Sequence, residues 1–240
     1  MATPAVAISD LQKRFGDTQA LRGVTFEVSS GEIFGLVGPN GAGKSTTLRI
    51  LSTLLDADGG EVRVFGADVA ARPNAARAAL RYVPEEAGAY ENMTGRQYLE
   101  FVARFYVDGA GTAGTVERGV ALSALGDRID DRTGEYSKGM TRKLLLAAAL
   151  MTEPRLAILD EPTSGLDVRN ARQVRDVIKD YPGDDRAVIL SSHNMLEVAF
   201  LCDRVGLLDD GIVVDTGTPA ELVARYAVEN LEEAFLEATA

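Results

Sequence analysis

The run Gly38-Pro39-Asn40-Gly41-Ala42-Gly43-Lys44-Ser45-Thr46 has the spacing G-x-x-x-x-G-K-[ST]. Glycines at these positions let a backbone close around phosphate oxygens, because a Cβ would block the approach. Backbone N–H groups and the helix N-terminus that follows meet the anion with partial positive charge. Lys44 is placed to reach the β- and γ-phosphates, and the Ser45 hydroxyl to ligate Mg²⁺. The flanks fit this chemistry: Glu32-Ile33-Phe34-Gly35-Leu36-Val37 reads as an apolar strand leading in, and Thr47-Leu48-Arg49-Ile50-Leu51 as a helix leading out. A glycine-rich turn matching by chance would not carry that context.

A second group of reactive side chains follows another apolar strand. In Leu156-Ala157-Ile158-Leu159-Asp160-Glu161 the first carboxylate suits a Mg²⁺ shared with Ser45. Side chains alternate along a strand, so the second points elsewhere and can take a proton from attacking water. The bland reading is a polar strand end entering the Pro162 turn. Tyr136-Ser137-Lys138-Gly139-Met140 opens a strongly apolar helix over 139–151, where Ser137 is an ordinary N-cap and the same geometry makes an anion site.

These residues need a sheet to hold them. Strands are expected at 6–11, 23–28, 61–65, 81–84, 156–159 and 187–190, with two more flanking Asp209-Asp210-Gly211. Helices are expected from Pro73 to residue 80, over 97–106 with Tyr98, Phe101, Val102 and Phe105 on one face, over 116–125, and from Pro219 onward. Residues 108–114 read as a flexible turn and 126–135 as polar linker. Strands alternating with helices give an α/β class, here a P-loop NTPase core with a mixed sheet, an antiparallel β subdomain and an inserted helical subdomain. The whole is read as one domain: core about 1–84 and 152–225, helical block about 85–151, and a C-terminal helix about 226–240.

With 46% of 240 residues hydrophobic, the chain can bury one sizeable core. Its longest apolar run, 144–151, is too short to span a bilayer, and Met1-Ala2-Thr3-Pro4-Ala5 lacks a secretion signal's basic start, so a cytosolic chain is expected. The lone Cys202 excludes an internal disulfide and reads as a small core residue. A net charge of −11 disfavours nucleic acid and anionic lipid as direct partners. Acid-rich and lysine-poor, the surface suits a salty cytoplasm in which screening relieves self-repulsion.

The order and spacing of these motifs resemble the nucleotide-binding subunit of ATP-binding-cassette (ABC) transporters over essentially the full length. Gly38 to Thr46 is similar to the Walker A loop and Leu156 to Glu161 to Walker B, implying ATP and Mg²⁺ as cofactors. The resemblance makes Phe15 the aromatic that stacks on adenine, against a plain edge-strand role. Ser137 and Gly139 look like the remnant of the family's LSGGQ sequence, with Lys138 and Met140 as departures. Ser164-Gly165-Leu166-Asp167 is similar to the D-loop, which crosses a dimer interface. His193, the chain's only histidine, looks like the switch histidine that bonds the γ-phosphate. Glu161 and His193, with Lys44, are then the catalytic set, and Ser45, Asp160 and Glu85 the metal set. Glu85 stands where the family usually has glutamine; a carboxylate ligates Mg²⁺ but repels phosphate without it. Pro84-Glu85-Glu86, Ala89 to Thr94 and the closing 231–236 resemble an exporter branch. The resemblance implies a second nucleotide-binding subunit, transmembrane permease subunits received near Ala87 to Thr94, and a place on the cytoplasmic face of the membrane. A soluble mechanical ATPase of the same superfamily, acting on DNA or ribosomes, is the alternative.

Overall fold

The computed structural model describes residues 3–107 and 109–240, so Met1, Ala2 and, from the turn expected at 108–114, Asp108 lie outside the described residues. Two sheets carry the strands. β1 (Val6–Phe15) and β2 (Thr18–Val28) form a long antiparallel hairpin, and β4 (Gly59–Val64) pairs with the other edge of β1. The two-residue β5 (Ala67–Asp68) completes this sheet in the order β2-β1-β4-β5. The hairpin strands run longer than hydrophobic alternation suggests. Register shifts after Ile8 and Leu11 interrupt the period-2 pattern while backbone pairing continues to Phe15–Thr18.

The second sheet has the order β10-β9-β3-β8-β7-β6. Its members are β3 (Ile33–Val37), β6 (Leu80–Val83), β7 (Leu156–Asp160), β8 (Ala187–Ser192), β9 (Arg204–Asp209) and β10 (Ile212–Gly217). All pairs are parallel except β9 with β10. Every residue of β3, β7 and β8 is buried, which is why these strands read as continuous apolar runs rather than alternations. One face packs against the antiparallel sheet, with Phe26 stacked on Phe34 at 5.0 Å. On the other face lie α5 (Lys138–Leu150), α6 (Val168–Lys179), α7 (Met195–Leu201), α8 (Pro219–Tyr226) and α9 (Leu231–Ala238). A third apolar cluster joins α5 to α3 (Gly95–Ala103) and α4 (Thr112–Ser123).

Several local expectations change. α3 ends at Ala103 and buries Leu99 and Ala103, so Phe105 lies beyond it and is 68% exposed. The aromatic face instead stacks on itself and on Tyr90: Phe101 meets Tyr90 edge-on at 5.4 Å and Phe105 at 5.0 Å. α4 begins at Thr112, earlier than the apolar spacing shows, and 126–135 forms two 3₁₀ turns that bury Ile129 and Thr133. α6 is not among the helices expected above because only Ala171, Val174 and Ile178 mark its buried stripe among polar residues, three of them arginines. Within α7, likewise not among them, Val198 and Leu201 are buried.

Candidate functional site

Four neighbouring parallel strands end at one edge of the sheet, and each delivers polar residues there. Val37 is level with Ser192, Asp160 with Ser191, and Val83 with Leu159. The loop after β3, the acidic pair after β7, His193 after β8 and Glu85 after β6 therefore converge at the carboxyl ends of the strands, where open α/β sheets bind ligands.

The loop from Gly38 to Gly43 runs into α1 (Lys44–Leu51), whose N-cap is Gly43 at φ 110°. A Cβ on Gly43 would sit 2.6 Å from Leu21 Cδ2 and 3.0 Å from the Ala20 carbonyl, so β2 presses directly on the turn. Ala42 is buried and donates its N–H to the Pro39 carbonyl at 3.3 Å. Lys44 curls back beneath the loop, donating to the carbonyls of Gly38 at 2.7 Å and Pro39 at 3.1 Å. Asn40, Gly41, Gly43, Lys44, Ser45 and Thr46 line a cavity of about 160 Å³, together with Ala20, Glu85 and Glu161.

Asp160 is buried and fully engaged. Its Oδ1 accepts from Ser45 Oγ at 3.1 Å and from Ser191 Oγ at 2.5 Å, and its Oδ2 accepts from the Tyr82 hydroxyl at 3.1 Å. Burial beside this carboxylate raises the Tyr82 phenol far above its ordinary range. Hydroxyl and carboxylate oxygens at this separation are the hard donors Mg²⁺ takes, usually with phosphate and water completing the shell. Among the described residues there is no cluster of three His, Cys, Asp or Glu that could hold a metal.

Glu161 lies one residue past β7 with φ 47°, so the turn rather than strand alternation sets its direction. Its N–H donates to Ser191 Oγ at 3.0 Å, and its Oε1 stands 2.9 Å from His193 Nδ1 and 3.8 Å from Lys44 Nζ. Burial raises the Glu161 carboxyl above its usual range, against the opposing pull of His193 and Lys44. Burial likewise lowers Lys44, against the attraction of Glu161, Asp160 and Glu85. Desolvation opposes the charged form of both groups, and an incoming polyphosphate would favour the charged lysine.

Glu85 lines the same cavity, but its Oε1 accepts from Ser164 Oγ at 3.1 Å, so this carboxylate ties the strand-β6 loop to the 164–167 turn. Arg142, buried in α5, fixes the loop from below by donating to the carbonyls of Pro84 at 2.9 Å and Glu85 at 2.6 Å.

Four of the sequence candidates, Ser137, Gly139, Asp167 and Phe15, are not among the residues that line this cavity. Ser137 is exposed and caps α5 through the Met140 N–H at 3.3 Å. Gly139 lies against Asn170, where a Cβ would be 2.6 Å from the amide nitrogen. Asp167 caps α6 through the N–H groups of Arg169 and Asn170, both at 3.0 Å. Phe15, at the end of β1, is 48% exposed with the Lys13 ammonium 5.6 Å from its ring centre.

Sequence reasoning missed the second layer. Tyr82 and Ser191 orient Asp160, and Glu197 holds the loop after Glu161, accepting from Thr163 Oγ1 at 2.5 Å and Arg175 at 3.1 Å. The one signal on offer was position: Ser191-Ser192 ends the strand next to the acidic pair.

A protein-family model described as ABC transporter matches residues 21–164. A daunorubicin resistance ATP-binding protein of Streptomyces coeruleorubidus is 37% identical over 239 residues, covering 99% of this chain and 76% of that protein. A fluoroquinolones export ATP-binding protein of Mycobacterium tuberculosis is 40% identical over 207 residues, 86% of this chain and 68% of that protein. Among solved structures, an ATP-binding subunit of an ABC transporter superposes with a TM-score of 0.88 at 28% identity, covering 98% of this chain and all of that one.

Proposed function

The chain belongs to the ABC transporter family as an ATP-binding, ATP-hydrolysing subunit, and on that premise we propose that paired cassettes close on ATP to power export. The observation that carries the pairing is the small, open cradle. At about 160 Å³ it falls below the roughly 300–1,000 Å³ of a site that encloses a small ligand. Ser137 and Asp167 are exposed and do not line it, and Gly139 is buried beside them against Asn170, so this helix end is left to meet the nucleotide of a second copy or a related chain.

In this reading the loop from Gly38 to Thr46 holds the phosphates and Phe15 meets the adenine. Ser45, Asp160 and Glu85 would hold Mg²⁺, which would supply charge neutralisation on the phosphate oxygens. Glu161 accepts a proton as a water oxygen bonds to the γ-phosphorus and the bond to the bridging oxygen breaks. His193 holds Glu161 and the γ-phosphate in line, and Lys44 stabilises the charge that builds there. Most of the catalysis is positioning and electrostatic stabilisation.

Membership of the ABC transporter family supports separate permease subunits with this chain at their cytoplasmic face; among the described residues no helix is long and apolar enough to cross a membrane. A groove of about 550 Å³ where β6 and the loop after it face α3 and α5, lined by Pro84, Ala87, Gly88 and Tyr98, is the proposed permease seat. The helical block, about 85–151, acts as a subdomain against the core. That relatives are named for drug resistance and fluoroquinolone export supports an outward direction. Direct action on DNA or ribosomes is opposed by the net charge of −11.

The test is purification of the tagged chain from membranes in mild detergent. A multi-span protein should accompany it, and Glu161→Gln with Mg-ATP should double in mass by light scattering. A chain without any membrane partner and monomeric under saturating nucleotide would refute the proposal.

A further inference from the structure

The groove assigned to the permease contains a cation with an unfilled place. Arg81, on β6, lines it beside Arg77, Leu54, Tyr98, Tyr106 and Leu145. The Arg81 guanidinium stacks 3.5 Å from the Tyr106 ring centre, and its Nη1 donates to the carbonyl of Leu80 at 2.6 Å and, more weakly, to that of Arg77 at 3.3 Å. Its Nε is the only buried side-chain nitrogen or oxygen among the described residues without a hydrogen-bond partner. Burial lowers its pKa, offset only by the fields of two tyrosines.

Neither Arg81 nor Arg77 has a carboxylate at ion-pair distance among the described residues. By contrast, exposed arginines such as Arg22, Arg63 and Arg225 each hold one. Among the described residues Arg142, more deeply buried, also lacks a carboxylate at that distance but spends its donors on the carbonyls of Pro84 and Glu85, whereas Arg81 keeps a buried Nε with no acceptor. A buried polar atom without a partner is destabilising unless something supplies one.

We propose that the partner's docking segment places a carboxylate on the Nε–Nη2 edge of Arg81, and that this ion pair selects the partner. That edge offers two parallel donors, the arrangement that binds a carboxylate bidentately. Tyr106, beyond the end of α3 and 50% exposed, can yield as the segment enters. The groove walls favour a peptide over a small anion. Tyr98, Val102, Leu145 and Ala148 are apolar, and an inorganic ion would leave them wet while an amphipathic helix with one acidic residue covers them. Pairing with arginine then supplies register and specificity more than bulk affinity. This inference rests on the reading of the groove as the permease seat.

The test uses the complex purified from membranes with wild-type chain, Arg81→Lys and Arg81→Gln. Arg81→Gln should weaken retention of the membrane partner at least about tenfold, and Arg81→Lys by less, because a point charge replaces a fork. ATP turnover of the isolated chain should stay unchanged, which also verifies folding. Aspartates and glutamates in the partner's cytoplasmic segments are then converted singly to amides, leaving this chain intact. One of them should reproduce the loss and add nothing to Arg81→Gln, the mark of a direct pair. Undiminished retention of Arg81→Gln, or no carboxylate that shares its effect, overturns the inference while the function stands. Binding of inorganic phosphate to the isolated chain, lost in Arg81→Gln, would also overturn it in favour of a free anion. Absence of any multi-span protein with the wild-type chain removes the functional reading and this inference together.

Discussion

Replacing Glu161 by glutamine keeps the shape of the side chain and removes its capacity to accept a proton. The residue is 6% exposed, and the bonds that curl Lys44 under the loop go to the carbonyls of Gly38 and Pro39, not to Glu161. The phosphate cradle should therefore survive, with ATP affinity within about threefold of wild type. Losing a general base costs about 10²–10⁴ in rate, or about 2.7–5.4 kcal/mol at 1.36 kcal/mol per decade. Stability should move the other way. Because burial outweighs His193 and Lys44, the folded chain holds the Glu161 proton more readily than the unfolded chain, whose ordinary value is 4.5. A carboxyl with a raised folded pKa contributes its stability below the unfolded value and loses it as pH rises through the folded one. At pH 7.5 the buried carboxyl is thus a liability that Glu161→Gln relieves. Its melting temperature should exceed wild type there and converge with it at pH 4.5 and below. Single-turnover phosphate release and thermal melts at both pH values read the two effects. Turnover within tenfold of wild type would move the base elsewhere, and a lower melting temperature at pH 7.5 would show that ion pairing, not desolvation, dominates the pocket.

The loop itself is testable at Gly38, where a Cβ would lie 2.0 Å from the Leu208 carbonyl oxygen; Gly38→Ala must shift the cradle by about 1 Å, and such a misplacement costs about a hundredfold in single-turnover rate. Glu197 tethers Thr163 and Arg175, so Glu197→Ala should lower turnover about tenfold at nearly unchanged KM for ATP and cost about 1–3 kcal/mol in urea melts, while Glu197→Gln keeps the Thr163 bond and loses less. Equal behaviour of the two variants would remove the tether from the mechanism. With a net charge of −11, the melting temperature should rise from 0.1 to 2 M KCl as self-repulsion is screened, and an unchanged value would separate the acidity from salt adaptation.

The parts of this molecule legible in its sequence are those governed by one short-range rule. Buried parallel strands announce themselves as apolar runs because both faces are covered, and β3, β7 and β8 carry the loop, the acidic pair and His193 at their ends. Lys44, Ser45, Asp160, Glu161 and His193 follow from that placement, and the structure brings all five to one edge. What stayed hidden depends on contacts distant in sequence. α6 buries only three small or branched residues in twelve, so its identity as a helix against the sheet is a tertiary fact. Glu85 reads as a metal ligand, yet its Oε1 meets Ser164, 79 residues away, a pairing no local pattern encodes.

Arg81 shows the same limit from the opposite side. In sequence it is one arginine in a short strand that ends at Pro84, and nothing marks it as different from its neighbours. Its distinction arises only when α3 and α5 close over the edge of β6 and leave Nε without a partner. The candidate site residues here are dense in local pattern because binding and cleaving a triphosphate would fix both type and spacing. A partner-selecting residue obeys the surface of another molecule, so its own sequence neighbourhood carries no trace of the constraint. Hence a buried donor with no acceptor is the more informative guide to specificity, and a motif the more informative guide to reaction.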